Sequence, residues 1–536
     1  MNFATKHETQ LLALPADEPA SVWTERVALL IGVATVVRLL IAATMGLTDT
    51  EAYYAQWARF PDWSYYDHPP LVAWTTWVAQ RLTAIPWAVR VGPALYAAAF
   101  GALVYRLGAR LFSPRAGFLA VAVLTAMPAF ALIGVLLNPE GLLAPLWALF
   151  LLLLADLDER DEPWRPLAIG AVVGVAFLAK YTAILAIPVT LLYVAGARST
   201  RVWLRRPSFY LGGVVALAIA TPVIAWNHAH DWPSLRLHLA ERMTRLPGEG
   251  LAAALGRVAT AQLALFHPLL LPALVLLLGY AVWRAVARHD ERYRLLATAS
   301  LPVLAFLLFM MVRAGDSEPH WTMVAYVPLG IAAGGVLDAA TGRLGRFFEG
   351  YFHLAVVLSL AAAALCAIHL RSPLLLDSLP SYDASRDPLN ETIGWARVQR
   401  AVAQHAAALG PGTVVAGAHN VLCGHLDAAT GDTPRVYCAS PRRTEFDFVG
   451  RRTPPPNAPV VFVNSDRYPD DPALALPLLR CVDAEEVPVL RGDRVMGHYR
   501  IHECTADRVG ALCPRRARSS RASSTGRSVG PSWRWG

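Results

Sequence analysis

The chain has 536 residues, 55 % of them hydrophobic and 16 % charged, with a formal charge of +8 and a mean hydropathy of +0.39. Soluble domains carry about 25 % charged residues, and so long a chain has too much surface to cover with so few. A cytosolic enzyme, a disordered protein and a collagen-like chain are excluded. The positive charge does not point to nucleic acid, because much of the Arg lies in short loops between apolar runs or in the last thirty residues. Membrane orientation explains the loop share.

Runs of about 18–22 apolar residues cross a bilayer as helices. Eleven are read along the chain, at about 26–46, 87–108, 116–136, 139–155, 167–179, 182–196, 208–226, 268–286, 295–312, 321–338 and 351–370. The first lacks a cleavage site and runs straight into an acidic loop, so it is expected to be retained as a span. Alternate loops carry Arg106, Arg110 and Arg115, then Arg198, Arg201, Arg205 and Arg206, then Arg284, Arg288, Arg292 and Arg294, then Arg343 and Arg346. The positive-inside rule places these loops, and residues 1–25, in the cytoplasm. The acidic loop Asp156–Glu162 is the poor fit. An odd number of spans sends the C-terminal region to the other side.

Residues 26–373 thus form a transmembrane domain and 374–507 a soluble α/β domain outside the membrane. A helix is expected from Gly394 and Trp395 to about 409. Short β-type runs follow at Thr413–Ala416, Val460–Asn464, Val487–Leu490 and Met496–Ile501. Five of the six cysteines lie beyond Cys366, and their spacing favours disulfides Cys423–Cys438 and Cys481–Cys504. The Arg- and Ser-rich tail 508–536 reads as disordered.

Polar residues gather on the non-cytoplasmic side. Thr48-Asp49-Thr50-Glu51-Ala52-Tyr53-Tyr54 follows the first span, and Tyr65-Tyr66-Asp67-His68-Pro69-Pro70-Leu71 comes a dozen residues later. Carboxylates at a membrane edge serve as general base or metal ligand, or are merely solvated beside an aromatic belt. Asn138-Pro139-Glu140 is a complete helix start: cap, first-position proline and first-turn acid. Glu318-Pro319-His320 opens the tenth span in the same way, with Glu318 and His320 able to meet sugar or metal. His228, His230 and Asp231 match no zinc framework, and an interfacial helix running to about 245 is the better reading there. Lys6 and Lys180 are the two lysines among 48 basic residues. Arg165 and Arg198 leave just over thirty residues for two crossings, so Lys180 should sit below the exterior surface. A cation there is costly unless it faces an anion or a wet cavity, or snorkels.

The Asp/Glu-Ala-Tyr-Tyr segment, Tyr65–Leu71, Lys180-Tyr181-Thr182, Trp226-Asn227 and Glu318-Pro319-His320-Trp321 occur here in one order. Together they resemble the bacterial membrane glycosyltransferases related to protein O-mannosyltransferases and to the aminoarabinose transferase of lipid A. The resemblance covers residue 26 to about 340 and implies a GT-C architecture: about eleven transmembrane helices with a C-terminal periplasmic domain. It implies transfer of a sugar from a polyprenyl-phosphate donor, outside the cytoplasmic membrane and with inversion. The acceptor would be lipopolysaccharide, another cell-wall glycan, a lipid or a protein; a divalent metal is an open option.

A phosphate leaving group needs a cation rather than a proton donor, whereas an acceptor hydroxyl needs a carboxylate to take its proton. The resemblance therefore implies Asp49 as base or positioning group. Glu51 stands close behind it, because the usual adjacent Asp-Glu pair is here Asp49-Thr50-Glu51. The resemblance also implies Glu140 as a candidate second active-site acid. Lys180 and His68 would face the donor phosphate, His68 only if a neighbour such as Asp67 raises its pKa. A transporter or flippase of lipid-linked sugars is the alternative, but the chain shows no internal repeat. A membrane-anchored binding protein would leave the first-loop cluster without a job. No GxxxxGKS loop or nucleotide-sugar DxD site stands out.

Overall fold

Prolines and small polar residues begin most of the helices in the first half of the chain. Ser113 and Asn138 cap helices whose first residues are Pro114 and Pro139, each side chain accepting a backbone N–H two residues beyond the proline. The computed structural model describes residues 19–83, 86–157, 162–243, 248–315, 317–371, 387–430, 433–477, 479–491 and 493–506. The predicted tail 508–536 lies outside them. By compactness the chain divides into two units, residues 1–44 with 61–364, and 45–60 with 365–536.

The first unit is helical. Among the described residues, seven helices are long and apolar enough to cross a membrane: Ala20–Thr44, Trp87–Leu111, Pro207–Ala229, Leu270–Ala287, Glu291–Arg313, Pro319–Ala339 and Gly342–Cys366. The pair Tyr181–Gly196 and Arg198–Arg205, bent by 111°, makes an eighth if counted as one span. Three of the eleven expected spans are shorter helices, Pro114–Thr125, Pro139–Ala155 and Trp164–Ala179. In the run at 116–136 the reason is local: Pro128 cannot donate to the turn before it, so a new short helix, Pro128–Leu132, starts there. One further helix, Leu251–Phe266, falls where no span was predicted. Pro207–Ala229 carries Trp226 and Asn227 in its last turns, and where a helix to about 245 was expected a short one follows, α-helical over Pro233–Arg236 and π-helical over Leu237–Glu241.

Helices of this unit approach closely through small residues, as expected where lipid supplies no hydrophobic drive between them. The Gly170 and Gly212 faces of Trp164–Ala179 and Pro207–Ala229 lie so near that a Cβ on either would strike the other helix's backbone. Outer faces stay apolar: Leu29, Val33, Leu40, Leu211, Val214, Leu276 and Val286 are all exposed, which suits contact with acyl chains. At the ends of the acidic loop that disagreed with the Arg pattern, Asp156 binds Arg110 at 3.1 Å and Arg165 at 2.8 Å, and Glu162 binds Arg165 at 2.8 Å.

The second unit holds a five-stranded sheet. Strands β1 (Val414–Gly417), β2 (Val436–Cys438), β3 (Val460–Ser465), β4 (Leu479–Arg491) and β5 (Arg494–Ala506) lie in the order β2-β1-β3-β5-β4. β1 runs parallel to β2 and β3, while β5 is antiparallel to β3 and β4. The predicted helix is present as Trp395–Leu409. β2 has only three residues and was not predicted. β4 and β5 outrun the predicted segments because charged residues fill the N-terminal half of β4, which is an edge.

Cys481 and Cys504, opposite one another in the β4–β5 ladder, form a disulfide. The expected Cys423–Cys438 bond is corrected: both are buried free thiols, in hydrogen-bond contact with each other. Burial first, and then the Cys438 thiol, push Cys423 well above its ordinary pKa, which disfavours the thiolate that disulfide exchange requires.

Segment 45–60 is tied to this second unit by helix packing and buried ion pairs. Helix Asp49–Trp57 packs on helix Asn420–Thr430 across Gly424, where a Cβ would lie 2.8 Å from the Tyr53 nitrogen. Asp427, fully buried, holds Arg59 at 2.7 Å and Arg451 at 2.9 Å. The Tyr53 hydroxyl accepts the Glu445 N–H at 2.7 Å. A Gly424→Leu substitution should therefore lift the short helix off the domain. We expect a melting temperature several degrees below wild type in detergent, with loss of whatever activity depends on Asp49; an unchanged melting curve would contradict the contact.

Candidate functional site

Polar clusters form separately in the two units. In the second unit, Thr48 opens helix Asp49–Trp57 in a reciprocal capping box: the Thr48 N–H donates to Glu51 Oε2 at 2.9 Å, and Glu51 N–H to Thr48 Oγ1 at 3.3 Å. Glu51 is fully buried and its carboxylate is engaged by the cap. Asp49, one residue into the helix, turns its carboxylate into the domain. It meets His425 Nε2 at 3.2 Å, Arg467 Nη1 at 3.4 Å and the Tyr468 hydroxyl at 3.4 Å.

Arg467 also pairs with Glu391, whose other oxygen accepts the Asp49 N–H at 3.4 Å. Burial, and after it the Asp49 charge, pushes the Glu391 carboxyl up. Trp395 stacks on His425 with ring centroids 3.8 Å apart, and His419 on Tyr468 at 4.1 Å. Burial pushes His419 down to about 4, so it is neutral at ordinary pH. The result is a carboxylate pair, Asp49 buried and Glu391 half-buried, bridged by one guanidinium and walled by aromatic rings. Glu391 thus retains a proton more readily than an ordinary carboxyl.

In the first unit, several of the sequence motifs converge. Asn138 Oδ1 accepts the Gly141 N–H at 2.7 Å and so starts the helix that carries Glu140. Glu140 is 5 % exposed and does more than sit near a cap: its Oε1 receives Lys180 Nζ, and His320 Nε2 lies 2.9 Å from the same oxygen. Lys180 ends helix Trp164–Ala179 with extended backbone, which turns its side chain inward, and it is 6 % exposed. Glu140, Lys180, Thr182, His320 and Trp321 line a small cleft floored by Phe130, Leu143 and Val324. Glu318 precedes the short turn Pro319–Thr322 and its charge acts on Lys180 and His320.

The Tyr-Tyr-Asp-His-Pro-Pro loop stands beside it. The Asp67 carbonyl faces His238 Nε2 at 2.8 Å, Trp226 Nε1 donates to Asp62 Oδ2 at 2.9 Å, and Asn227 Nδ2 reaches the Tyr181 hydroxyl at 3.4 Å. His68 was expected to serve as a cation if Asp67 raised its pKa. That is corrected: burial, and then Lys180, His238, Arg242 and His320, hold its pKa well below the ordinary value. His238 is likewise pushed down to about 4, by burial and then Arg242. Neither imidazole therefore supplies positive charge here.

The first-loop residues are thus sorted. Asp49 and Glu51 belong to the second unit, and Asp67, His68, Glu140, Lys180, Glu318 and His320 to the first. Among the described residues no three His, Cys, Asp or Glu side chains converge as a metal-binding group. Sequence reasoning missed Glu391, His425, Arg467 and Tyr468, which lie 342 to 419 positions from Asp49.

A family model described as dolichyl-phosphate-mannose-protein mannosyltransferase matches residues 67–226. The lipid A galacturonosyltransferase RgtD of Rhizobium johnstonii is 27 % identical over 418 residues, 76 % of this chain and 82 % of that protein. Among solved structures, ArnT from Cupriavidus metallidurans bound to undecaprenyl phosphate aligns with a TM-score of 0.59 at 18 % identity, covering 90 % of this chain and 98 % of that one. Its apo state aligns with a TM-score of 0.58 at 17 % identity over the same shares. These two likenesses are of fold.

The capping box yields a clear expectation. Glu51→Ala should lower stability by about 1 kcal/mol, as loss of a cap does, whereas Glu51→Gln keeps the acceptor and should stay close to wild type. Thermal melts of the purified protein would show this. A Glu51→Gln enzyme that folds normally yet is inactive would give Glu51 a chemical role instead.

Proposed function

We propose that this chain, a membrane glycosyltransferase of the GT-C superfamily, moves a sugar from a polyprenyl-phosphate donor to an acceptor on the outer side of the bacterial cytoplasmic membrane, with inversion. The observation that carries the reading is the buried Lys180 beside a cleft in the helical unit, in a chain whose basic residues are otherwise nearly all arginine. Lysine is a compact point charge suited to a phosphate. Its described partner is Glu140, which neutralises it and holds it in place. When the donor phosphate enters, Lys180 shares its charge with the phosphate oxygens as the glycosidic C–O bond breaks, and Glu140 and His320 position it.

The departing phosphate needs no proton. The acceptor hydroxyl does lose one, and Asp49 is the carboxylate we assign to take it. Arg467 and Tyr468 orient the Asp49 carboxylate. The similarity to a lipid A galacturonosyltransferase favours a lipopolysaccharide-type acceptor among the glycan, lipid and protein candidates. Domain 374–507 lies on the same outer face as the chemistry.

Two variants test the halves of this reading in proteoliposomes with lipid-linked sugars. Asp49→Asn should abolish transfer, by at least 100-fold, and leave donor binding intact. Near-normal turnover in Asp49→Asn would remove it from the chemistry. Lys180→Met keeps length and loses charge, so it should insert normally yet bind the donor at least 10-fold more weakly. Unchanged donor affinity in a well-folded Lys180→Met protein would leave the residue as an interfacial anchor.

A further inference from the structure

A second buried cation of the helical unit has no part in that chemistry. Arg38 lies in helix Ala20–Thr44, six residues from its end and therefore about 9 Å along the axis from that end. It does not snorkel to an interface, being only 9 % exposed. A guanidinium offers five N–H donors. Among the described residues, its hydrogen bonding consists of one contact at 3.5 Å, from Nη2 to the Phe130 carbonyl, and no carboxylate pairs with it. Its side chain is pressed against Gly134, where a Cβ would collide with Nε and Cδ. A charge at this depth calls for an anion.

Beside it is a small cavity walled by Ile31, Ala34, Phe100, Val104, Leu124 and Phe130, with Arg38 as its one charged lining residue. Phe130 also lines the cleft that holds Lys180, so the two cavities adjoin but carry different cations. The opposite side of the first helix exposes Leu29, Val33, Val36, Val37 and Leu40. An anion that reaches Arg38 must therefore bring an apolar body with it, and must come from the bilayer along this helix.

We propose that Arg38 and this cavity form a binding site for the phosphate of a lipid, distinct from the Lys180 cleft. The guanidinium takes the phosphate oxygens in a forked pair of hydrogen bonds, and the apolar wall takes the first segment of the chain. A polyprenyl phosphate and a membrane phospholipid share this chemistry. The inference does not depend on the role given to Lys180.

The test uses the full-length protein, stripped of lipid in detergent and titrated with undecaprenyl phosphate in one arm and phosphatidylglycerol in the other, with binding read by native mass spectrometry. Wild type should take up a lipid equivalent that Arg38→Gln binds at least 10-fold more weakly and that Lys180→Met retains. Weakening in the undecaprenyl phosphate arm alone assigns a polyprenyl phosphate, weakening in the phosphatidylglycerol arm alone a phospholipid, and weakening in both any lipid phosphate. Unchanged binding in both arms by a folded Arg38→Gln protein overturns the proposal. Should that variant fail to fold, Gly134→Ala keeps the charge but displaces the side chain, and should weaken the same equivalent several-fold. The unaltered protein gives a further check: a cryo-EM map with saturating lipid should show head-group density on the Arg38 guanidinium. Its absence with both lipids overturns the site.

Discussion

The buried carboxylate of Asp427 is the constraint on which the Asp49 cluster rests. It is fully enclosed and holds two guanidinium groups, one from the segment after the first helix and one from the C-terminal domain. Removing either arginine would leave part of a buried charge uncompensated, which costs far more than the pair contributes over an apolar replacement. Arg451 also lies 4.5 Å over the Phe60 ring, so the ion pair and the aromatic packing fix the same stretch of chain. Helix Asp49–Trp57 is nine residues long and would be marginal by itself. The domain makes it rigid, and with it the orientation of Asp49.

A similar economy of charge governs the helical unit. Glu140 and Lys180 are each costly to bury and tolerable together, with His320 as a third partner. Such a pair is a weak source of stability, and its better use is to keep two charges in place where solvent would otherwise disperse them. The helix endings serve this end. Asn138 and Pro139 fix where the Glu140 helix begins, and the extended backbone at Lys180 stops the facing helix just as its cation turns inward.

The spans were legible because apolar runs and Arg-rich loops are local features of the sequence. So were the helix start at Asn138-Pro139-Glu140 and the helix Trp395–Leu409. The exact span count was not, because Pro128 divides one apolar run and two others stop short, at 16 and 17 residues. Glu51 could have been recognised as a cap from Thr48-x-x-Glu51 alone, since the capping box has a sequence signature. The partners of Asp49 could not. Glu391, His425, Arg467 and Tyr468 meet it only through the packing of a distant domain, and nothing in their own neighbourhoods marks them. Cysteine spacing fared unevenly for a related reason: Cys481 and Cys504 are register partners across a ladder, whereas Cys423 and Cys438 sit on a helix and a strand whose contact leaves both as thiols.

The two edges of the C-terminal sheet carry a consequence for how an acceptor is recognised. One edge is β2, only three residues long, and the other is β4, interrupted by two irregularities and by Pro488 and studded with Asp483, Glu485 and Glu486. Neither presents a run of free main-chain donors and acceptors onto which an extended peptide could add as a sixth strand. An acceptor that docks on this domain must therefore be read by side chains, through hydroxyl-, phosphate- or ring-directed contacts. Selectivity would then evolve by exchanging individual surface residues, leaving the sheet itself unaltered.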